Sequence, residues 1–123
     1  MLIDTNVLIW AGTDPGKLSR RVRAIFNSDE TLIVSAVSAY EIEFKRPRNL
    51  ELQRLPPDLN EVVEAIDASW AAVDPRHCSR AGRLPPIHGD PWDRILVAQA
   101  MDFGMPIVSS DGLLARYGVP VIW

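Results

Sequence analysis

The sequence predicts a small α/β domain of three layers, in which helices cover both faces of a mostly parallel sheet. Short apolar runs alternate along the chain with segments whose apolar residues recur at helical spacing. These runs lack the in-and-out alternation of a half-exposed strand, which is typical of strands buried on both faces. With 123 residues, 47% of them hydrophobic, the chain has the size and composition of one domain, which we expect to span residues 1–123.

Five short segments are candidates for the strands. Residues 31–36 (TLIVSA) are the clearest, because β-branched and apolar residues lie there between polar flanks. Residues 1–4 form an apolar run that stops at a carboxylate, and residues 72–75 are a weaker candidate. Residues 106–110 (PIVSS) and 119–123 (VPVIW) complete the expected sheet.

Capping residues and apolar stripes predict the helices. Ser19 caps a first helix, and Ser35 or Ser38 caps a second that runs to about Lys45 and must end at Pro47. The first helix has an apolar stripe formed by Val22, Ile25 and Phe26. A third helix has one formed by Leu59, Val62, Val63 and Ile66, and the last helix has one formed by Trp92, Ile95, Leu96 and Ala100.

The last of these helices carries start and stop signals at both ends. Asp90 fits its N-cap, Pro91 fits the first helical position and Gly104 stops it. Asp93 then falls in the first turn, where a carboxylate favours the helix dipole.

Composition excludes several classes of protein. No apolar stretch approaches the roughly 18–20 residues that span a bilayer, and the first ten residues lack the basic lead of a signal peptide. Cys78 is the only cysteine, so no internal disulfide forms and a reducing cytoplasmic location is favoured. The net charge of −3 argues against binding nucleic acid by bulk positive charge, although a nucleic-acid substrate stays open.

Acidic residues from separate segments are expected to converge on one edge of the sheet. In open parallel sheets ligands bind beyond the carboxyl ends of the strands. Asp4 ends the first strand, Asp111 follows the strand at 106–110, and Glu41 lies about one and a half turns into the helix after the second strand. Asp90 and Asp93 begin the helix that precedes the strand at 106–110.

Each acid also has a purely structural explanation. These explanations are an Asx-turn at Asp4, an i,i+4 pair of Glu41 with Lys45, an N-cap at Asp90, a dipole contact at Asp93 and a turn or cap at Asp111. Their conjunction favours a cation, because like charges packed together destabilise a fold and raise carboxylate pKa values.

The available ligand types select the metal and the chemistry. His77 and Cys78 are adjacent and His88 stands alone, so the sequence holds no zinc spacing. Oxygen ligands suit Mg²⁺ or Mn²⁺. An acidic pocket of this type, without a nucleophilic Ser or Cys triad, indicates metal-assisted hydrolysis of a phosphate ester.

Four segments closely resemble one family. They are LIDTNVLIW at 2–10, VSAVSAYEIEFK at 34–45, HGDPWDRILVAQA at 88–100, and IVSSD followed by LLARYGVPVIW at 107–123. The chain resembles PIN-domain ribonucleases of the toxin kind, the VapC-like members of toxin–antitoxin modules. The resemblance implies a cytoplasmic, Mg²⁺- or Mn²⁺-dependent endoribonuclease, a homodimer, and a cognate antitoxin whose tail blocks the acidic site.

The resemblance also implies roles for particular residues. Asp4, Glu41, Asp93 and Asp111 are the expected catalytic acids. Asp4 and Asp93 are the principal metal ligands, whereas Glu41 and Asp111 act directly or through water. Four further residues are expected to support these acids or a bound water from behind: Asn6, Asp90, Ser109 and Ser110.

Arginines are the candidate RNA contacts. Arg46 and Arg48 lie just beyond the Glu41 helix, and Arg94 follows Asp93; the cluster of Arg20, Arg21 and Arg23 is a further candidate. The four tryptophans fit core or dimer-surface positions better than base-stacking ones.

Four other interpretations of the sequence compete with this one. A phosphoacceptor receiver domain needs a late lysine, and no lysine follows Lys45. A hydrolase with an aspartyl nucleophile needs a second aspartate two residues after the first, where this chain has Asn6. An inactive PIN-like binding module, and a DNA-acting or non-toxin RNA-processing PIN nuclease, share the same acids and stay open.

Overall fold

The computed structural model describes residues 1–123 and contains one five-stranded sheet. Every pair of neighbouring strands is parallel. The strands are β1 (Leu2–Ile3), β2 (Leu32–Ser35), β3 (Ala68–Ala71), β4 (Ile107–Val108) and β5 (Val121–Ile122). Their order across the sheet is β3-β2-β1-β4-β5, so the first strand of the chain is the central one.

Six α-helices connect or follow these strands. They are α1 (Thr5–Thr13), α2 (Arg20–Phe26), α3 (Ala36–Lys45), α4 (Asn60–Ala65), α5 (Pro75–Arg83) and α6 (Pro91–Phe103). Short 3₁₀ segments occur at Pro15–Lys17, Arg46–Arg48, Leu52–Arg54 and Gly112–Tyr117. The longest helix, α6, has 13 residues, and none of the helices is both long and apolar enough to cross a membrane.

The side chains of the central strands point alternately into two hydrophobic clusters. Ile3 and Val108 belong to a cluster of 17 buried residues that includes the apolar faces of α1, α2 and α4. Leu2 and Ile107 belong to a second cluster of nine, which includes the buried face of α6. Helices therefore cover both faces of the sheet, and the predicted three-layer α/β architecture is confirmed.

The predicted helix boundaries agree with the structure. Ser35, not Ser38, caps α3: its hydroxyl accepts a hydrogen bond from the backbone N–H of Val37 at 3.1 Å. Asp90 caps α6 by accepting from the N–H of Trp92 at 2.9 Å. Gly104 ends α6 in the left-handed conformation, with φ of +63°, which glycine adopts at no steric cost.

One strand prediction is wrong, and two helices were not predicted. The strand assigned to residues 72–75 instead lies at Ala68–Ala71, an edge strand with two exposed residues and therefore no apolar run. Residues from Pro75 onward form α5, a polar helix in which only His77 and Ala81 are buried. Helix α1 was not predicted, because its nearly continuous apolar sequence does not show apolar residues at helical spacing between polar ones.

Candidate functional site

The carboxyl ends of β1 and β4 are adjacent, and polar side chains follow both strands. Asp4 comes directly after β1, and Ser109 comes directly after β4. Ser109 is fully buried, and its hydroxyl donates a hydrogen bond to Oδ2 of Asp4 at 2.5 Å. The same hydroxyl accepts from the backbone N–H of Asp111 at 3.0 Å. One serine thus connects two of the expected site acids.

Asp4 is a buried carboxylate, with 2% of its surface exposed. Burial raises the pKa of Asp4 above its ordinary value, and the nearby charge of Glu41 raises it further. The hydrogen bond from Ser109 opposes this shift without cancelling it. Oδ1 of Asp4 is buried and accepts no hydrogen bond.

Glu41 is presented by α3, the helix that follows β2. Its Oε1 accepts a hydrogen bond from Nζ of Lys45 at 2.5 Å, the i,i+4 pair that its spacing suggests. Its Oε2 is buried without a partner. Partial burial lowers the pKa of Lys45, but the bond to Glu41 and the charges of Asp90 and Asp93 outweigh it, so that pKa is raised.

Asp93 occupies the first turn of α6. Burial, together with the negative charges of Asp4, Asp90 and Glu41, raises its pKa to about 7. His88 lowers that pKa but does not compensate. A carboxylate that titrates near neutrality is typical of functional sites.

Asp111 and His88 complete the cluster. Nε2 of His88 lies 2.8 Å from Oδ2 of Asp111 and 3.2 Å from Oδ2 of Asp93. Oδ1 of Asp111 accepts from the backbone N–H of Leu113 at 2.8 Å and so caps the 3₁₀ segment. Both oxygens of Asp111 therefore have partners inside the protein.

Comparisons with known proteins identify the family of this chain. The PIN domain family model matches residues 1–120. The chain belongs to the PIN domain family.

Individual relatives of this PIN domain cover nearly the whole chain. Ribonuclease VapC22 of Mycobacterium tuberculosis (strain ATCC 25618 / H37Rv) is 28% identical over 123 residues, which cover 98% of this chain and 93% of that protein. A DNA-bound VapBC structure from Salmonella typhimurium has a TM-score of 0.70 at 17% identity, covering 98% of this chain and 95% of that one. The FitAcB structure from Neisseria gonorrhoeae also gives 0.70 at 17%, covering 99% and 96%.

The acids of this PIN domain fit a hard divalent cation. Oδ1 of Asp4 and Oε2 of Glu41 are buried oxygens without a hydrogen-bond donor, a costly arrangement in the absence of a cation. The contact of Asp93 with His88 involves Oδ2 and leaves Oδ1 available to an ion. Carboxylate oxygens are the ligands preferred by Mg²⁺ and Mn²⁺.

The expected supporting residues of this PIN domain differ in their surroundings. Ser109 supports Asp4 directly, and Asp90 supports the start of α6 as its cap. Asn6 is exposed in the first turn of α1, and Ser110 is exposed beyond β4. The side chains of Asn6 and Ser110 make no hydrogen bond to a site acid, although the backbone N–H of Asn6 helps to lower the pKa of Asp4.

Two of the three arginines expected to contact RNA brace the fold. The guanidinium of Arg94 donates to five acceptors, among them the carbonyl oxygens of Ala81 at 2.8 Å and Leu84 at 2.7 Å. Arg46 donates to the carbonyls of Leu55 and Pro56 and pairs with Glu43 at 2.9 Å. The structure therefore gives Arg94 and Arg46 a structural role, and the expectation that they contact RNA stays a prediction.

Arg48 takes no part in these contacts and lies at the exposed end of the 3₁₀ segment that follows α3. Arg20, Arg21 and Arg23 are likewise exposed, on α2. These side chains remain accessible to an RNA.

An exposed aromatic surface adjoins the site of this PIN domain. Tyr40 and Phe44 on α3 are 60% and 62% exposed and stack at 5.9 Å between ring centroids. Trp92 on α6 lies 6.0 Å from Phe44, and Nζ of Lys45 lies 4.8 Å from the Trp92 ring. Of the other tryptophans, Trp10 packs edge-on against Trp123 at 5.7 Å.

Sequence reasoning missed His88, which it treated as isolated. The structure places this side chain between Asp93 and Asp111 and bonds its Nδ1 to the backbone N–H of Asp90 at 3.1 Å. The available signal was the spacing His88-Gly89-Asp90, which puts a ring nitrogen within reach of the N-cap amide.

Proposed function

We propose that the chain is a metal-dependent endoribonuclease that hydrolyses RNA phosphodiester bonds and acts as the toxin of a type II toxin–antitoxin module. The observation that carries the proposal is the pair of buried, donorless oxygens on Asp4 and Glu41 beside Asp93. The 28% identity to a protein named as a ribonuclease supports RNA as the substrate.

Mg²⁺ or Mn²⁺ is the proposed cofactor, held mainly by Asp4 and Asp93. When bound, such an ion lowers the pKa of water and offsets the charge that develops on the phosphate. Ser109 keeps Asp4 in place through its bond to Oδ2, so that Oδ1, which has no protein donor, would be free to bind the ion.

Glu41 is the proposed base for the attacking water. Lys45 holds Oε1, and the donorless Oε2 is the atom that accepts the proton. Asp111 completes the pocket from the β4 side, where its two oxygens are held by Leu113 and His88.

Proposed partners follow from the same relatives. The structures that share the fold are a DNA-bound VapBC and FitAcB, which supports a cognate antitoxin for this chain. We also propose a homodimer and a cytoplasmic location, where RNA is available and the exposed thiol of Cys78 stays reduced.

Cleavage of structured RNA with Mg²⁺, with and without EDTA, tests the activity. We expect cleavage by the wild type that EDTA abolishes and that Asp93→Asn lacks. Cleavage that persists in EDTA would contradict metal dependence. Cleavage of DNA but not of RNA would support the alternative of a DNA-acting PIN nuclease. If the chain cleaved neither and bound no Mn²⁺, the alternative of an inactive binding module would be favoured.

A further inference from the structure

The two histidines of this chain make the same two kinds of contact, but only one lies at the acidic site. In each, Nδ1 accepts a backbone N–H at 3.1 Å, from Asp74 in the case of His77 and from Asp90 in the case of His88. In each, Nε2 contacts a carboxylate: Asp102 at 3.2 Å for His77 and Asp111 at 2.8 Å for His88.

The bond to the Asp90 amide fixes the tautomer of His88. A ring nitrogen that accepts an N–H carries no proton, so the neutral imidazole carries its hydrogen on Nε2. Nε2–H is therefore a donor directed at Asp111, within 3.2 Å of Asp93. Binding of a metal by Nε2 would require a proton on Nδ1, which would then face the N–H of Asp90 with no acceptor between them.

The position of the ring is also fixed by its neighbours. The backbone N–H of His88 donates to the hydroxyl of Tyr117 at 2.7 Å. Arg94 donates to that hydroxyl at 3.3 Å and to the His88 carbonyl at 3.4 Å. The ring is largely buried, with a side-chain exposure of 16%. Residue 88 is therefore held from both sides in front of the two acids.

We infer that His88 is a positioning residue for the metal centre: its Nε2–H donates to Oδ2 of Asp111 and lies 3.2 Å from Oδ2 of Asp93, so that the other oxygen of Asp93 is the one presented to the ion. The inference rests on the proposed function. Residues that hydrogen-bond to metal ligands orient them, and their loss typically lowers metal affinity about 10–100-fold. His88 is not a ligand, because its tautomer presents a hydrogen to the site.

Two substitutions separate the two bonds of the ring. His88→Asn keeps an acceptor for the Asp90 amide, since an asparagine oxygen accepts from the N–H two residues on, but it has no donor that reaches Asp111. His88→Gln places an amide donor near the position of Nε2. We expect His88→Asn to weaken Mn²⁺ binding about 10–100-fold in calorimetry, and His88→Gln to restore most of that loss.

His77→Asn is the matched control. It removes the histidine–aspartate contact at the start of α5, together with the bond that Nδ1 accepts from the Asp74 amide three residues earlier. We expect wild-type Mn²⁺ affinity in this variant. If His77→Asn weakened binding as much as His88→Asn, the effect would be one of general stability and the inference would be wrong.

A spectroscopic measurement tests the tautomer itself. In ¹⁵N–¹H correlation spectra of the imidazole rings we expect His88 as the Nε2–H form, both alone and with saturating Mg²⁺. A switch to Nδ1–H on addition of Mg²⁺ would make His88 a metal ligand and overturn the inference. Equal Mn²⁺ affinity of wild type and His88→Asn would overturn it while leaving the proposed function intact, whereas a wild type that binds no Mn²⁺ would overturn both.

Discussion

At the scale of single residues, the acids of the site are held by specific donors rather than by solvent. Ser109 bonds Asp4, Lys45 bonds Glu41 and His88 bonds Asp111. Each of these donors takes one carboxylate oxygen, and two of the acids keep a buried oxygen with no donor. The acids therefore still repel one another in the folded protein, and their charges stay buried. A bound cation would relieve both of these costs.

Asp93→Asn is expected to abolish RNA cleavage and to stabilise the metal-free protein at alkaline pH. The folded-state pKa of Asp93 is about 7, above the unfolded value, so folding favours its protonated form. Its stabilising contribution is present below pH 4 and is lost as the pH rises through 7. We expect urea denaturation at pH 8 to show the variant more stable by about 1–2 kcal/mol, because the carboxylate is partly solvated. A variant less stable at pH 8 would contradict this account.

The same pKa predicts the pH dependence of metal binding. Asp93 must lose its proton to bind an ion, so Mn²⁺ affinity rises with pH until the pH exceeds about 7. Calorimetry at pH 6 in two buffers of different ionisation enthalpy is expected to show proton release on binding, and calorimetry at pH 8 is expected to show less. Proton release that does not change between these pH values would assign the shifted pKa to another group.

At the scale of elements, close packing of α1 against its neighbours depends on a glycine. A Cβ on Gly12 would lie 2.7 Å from Cδ2 of Leu55 and 3.0 Å from Cγ2 of Val62. Gly12→Ala is therefore expected to destabilise the protein by about 1 kcal/mol, since overpacking outweighs the gain in helix propensity. Urea denaturation measures the change.

Gly82 is the matched control for Gly12, because it also lies in a helix but has no atom within 4 Å of an added Cβ. Gly82→Ala is expected to stabilise the protein by about 0.5–1 kcal/mol. If both variants moved stability in the same direction, packing at Gly12 would not be the cause.

Arg94 connects α5 to α6, and its loss is expected to be structural. Its guanidinium donates to carbonyls at the end of α5 and in the loop that leads to His88. Arg94→Met leaves these partly buried carbonyls without their donor and is expected to cost about 2–4 kcal/mol in urea denaturation. The exposed Arg48→Ala is expected to change stability by less than about 0.5 kcal/mol and instead to weaken RNA binding more at low salt than at high salt.

Element prediction from the sequence succeeded where signals were local and failed where tertiary packing decides. Asp90, Pro91 and Gly104 bound α6 by their own backbone preferences, so its ends were predictable. Strand β3 was misplaced because an edge strand needs no apolar run. Helix α5 was missed because its burial comes from one histidine and one alanine in a polar sequence.

At the scale of the whole molecule, the site acids were predictable because topology alone brings them together. Parallel strands place Asp4, Ser109 and Asp111 at one edge whatever the side-chain detail. The position of His88 was not predictable in this way, because it depends on a loop whose carbonyls are held by Arg94. The distinction between the exposed Arg48 and the braced Arg46 likewise needs the fold.

Mn²⁺ is expected to stabilise the entire fold, since it binds an arrangement that only the folded chain has. One site with ligand at 100 times its Kd adds about 2.7 kcal/mol to the free energy of unfolding. The melting temperature of the wild type is expected to rise by several degrees with saturating Mn²⁺ and to fall back with EDTA. Asp4→Asn is expected to show no such rise, and an equal rise in that variant would place the ion elsewhere.

The central position of β1 has a consequence for synthesis. Its hydrogen-bonded neighbours are β2 and β4, so the first strand to be translated is enclosed only after residue 108 has been made. Ser109, which bonds Asp4, and Asp111 are translated more than a hundred residues after Asp4. A nascent chain that stops before β4 carries Asp4, Glu41 and Asp93 but lacks Ser109 and Asp111, which complete the acidic site. Any activity of the acidic site is thus delayed until nearly all of the sheet has been translated.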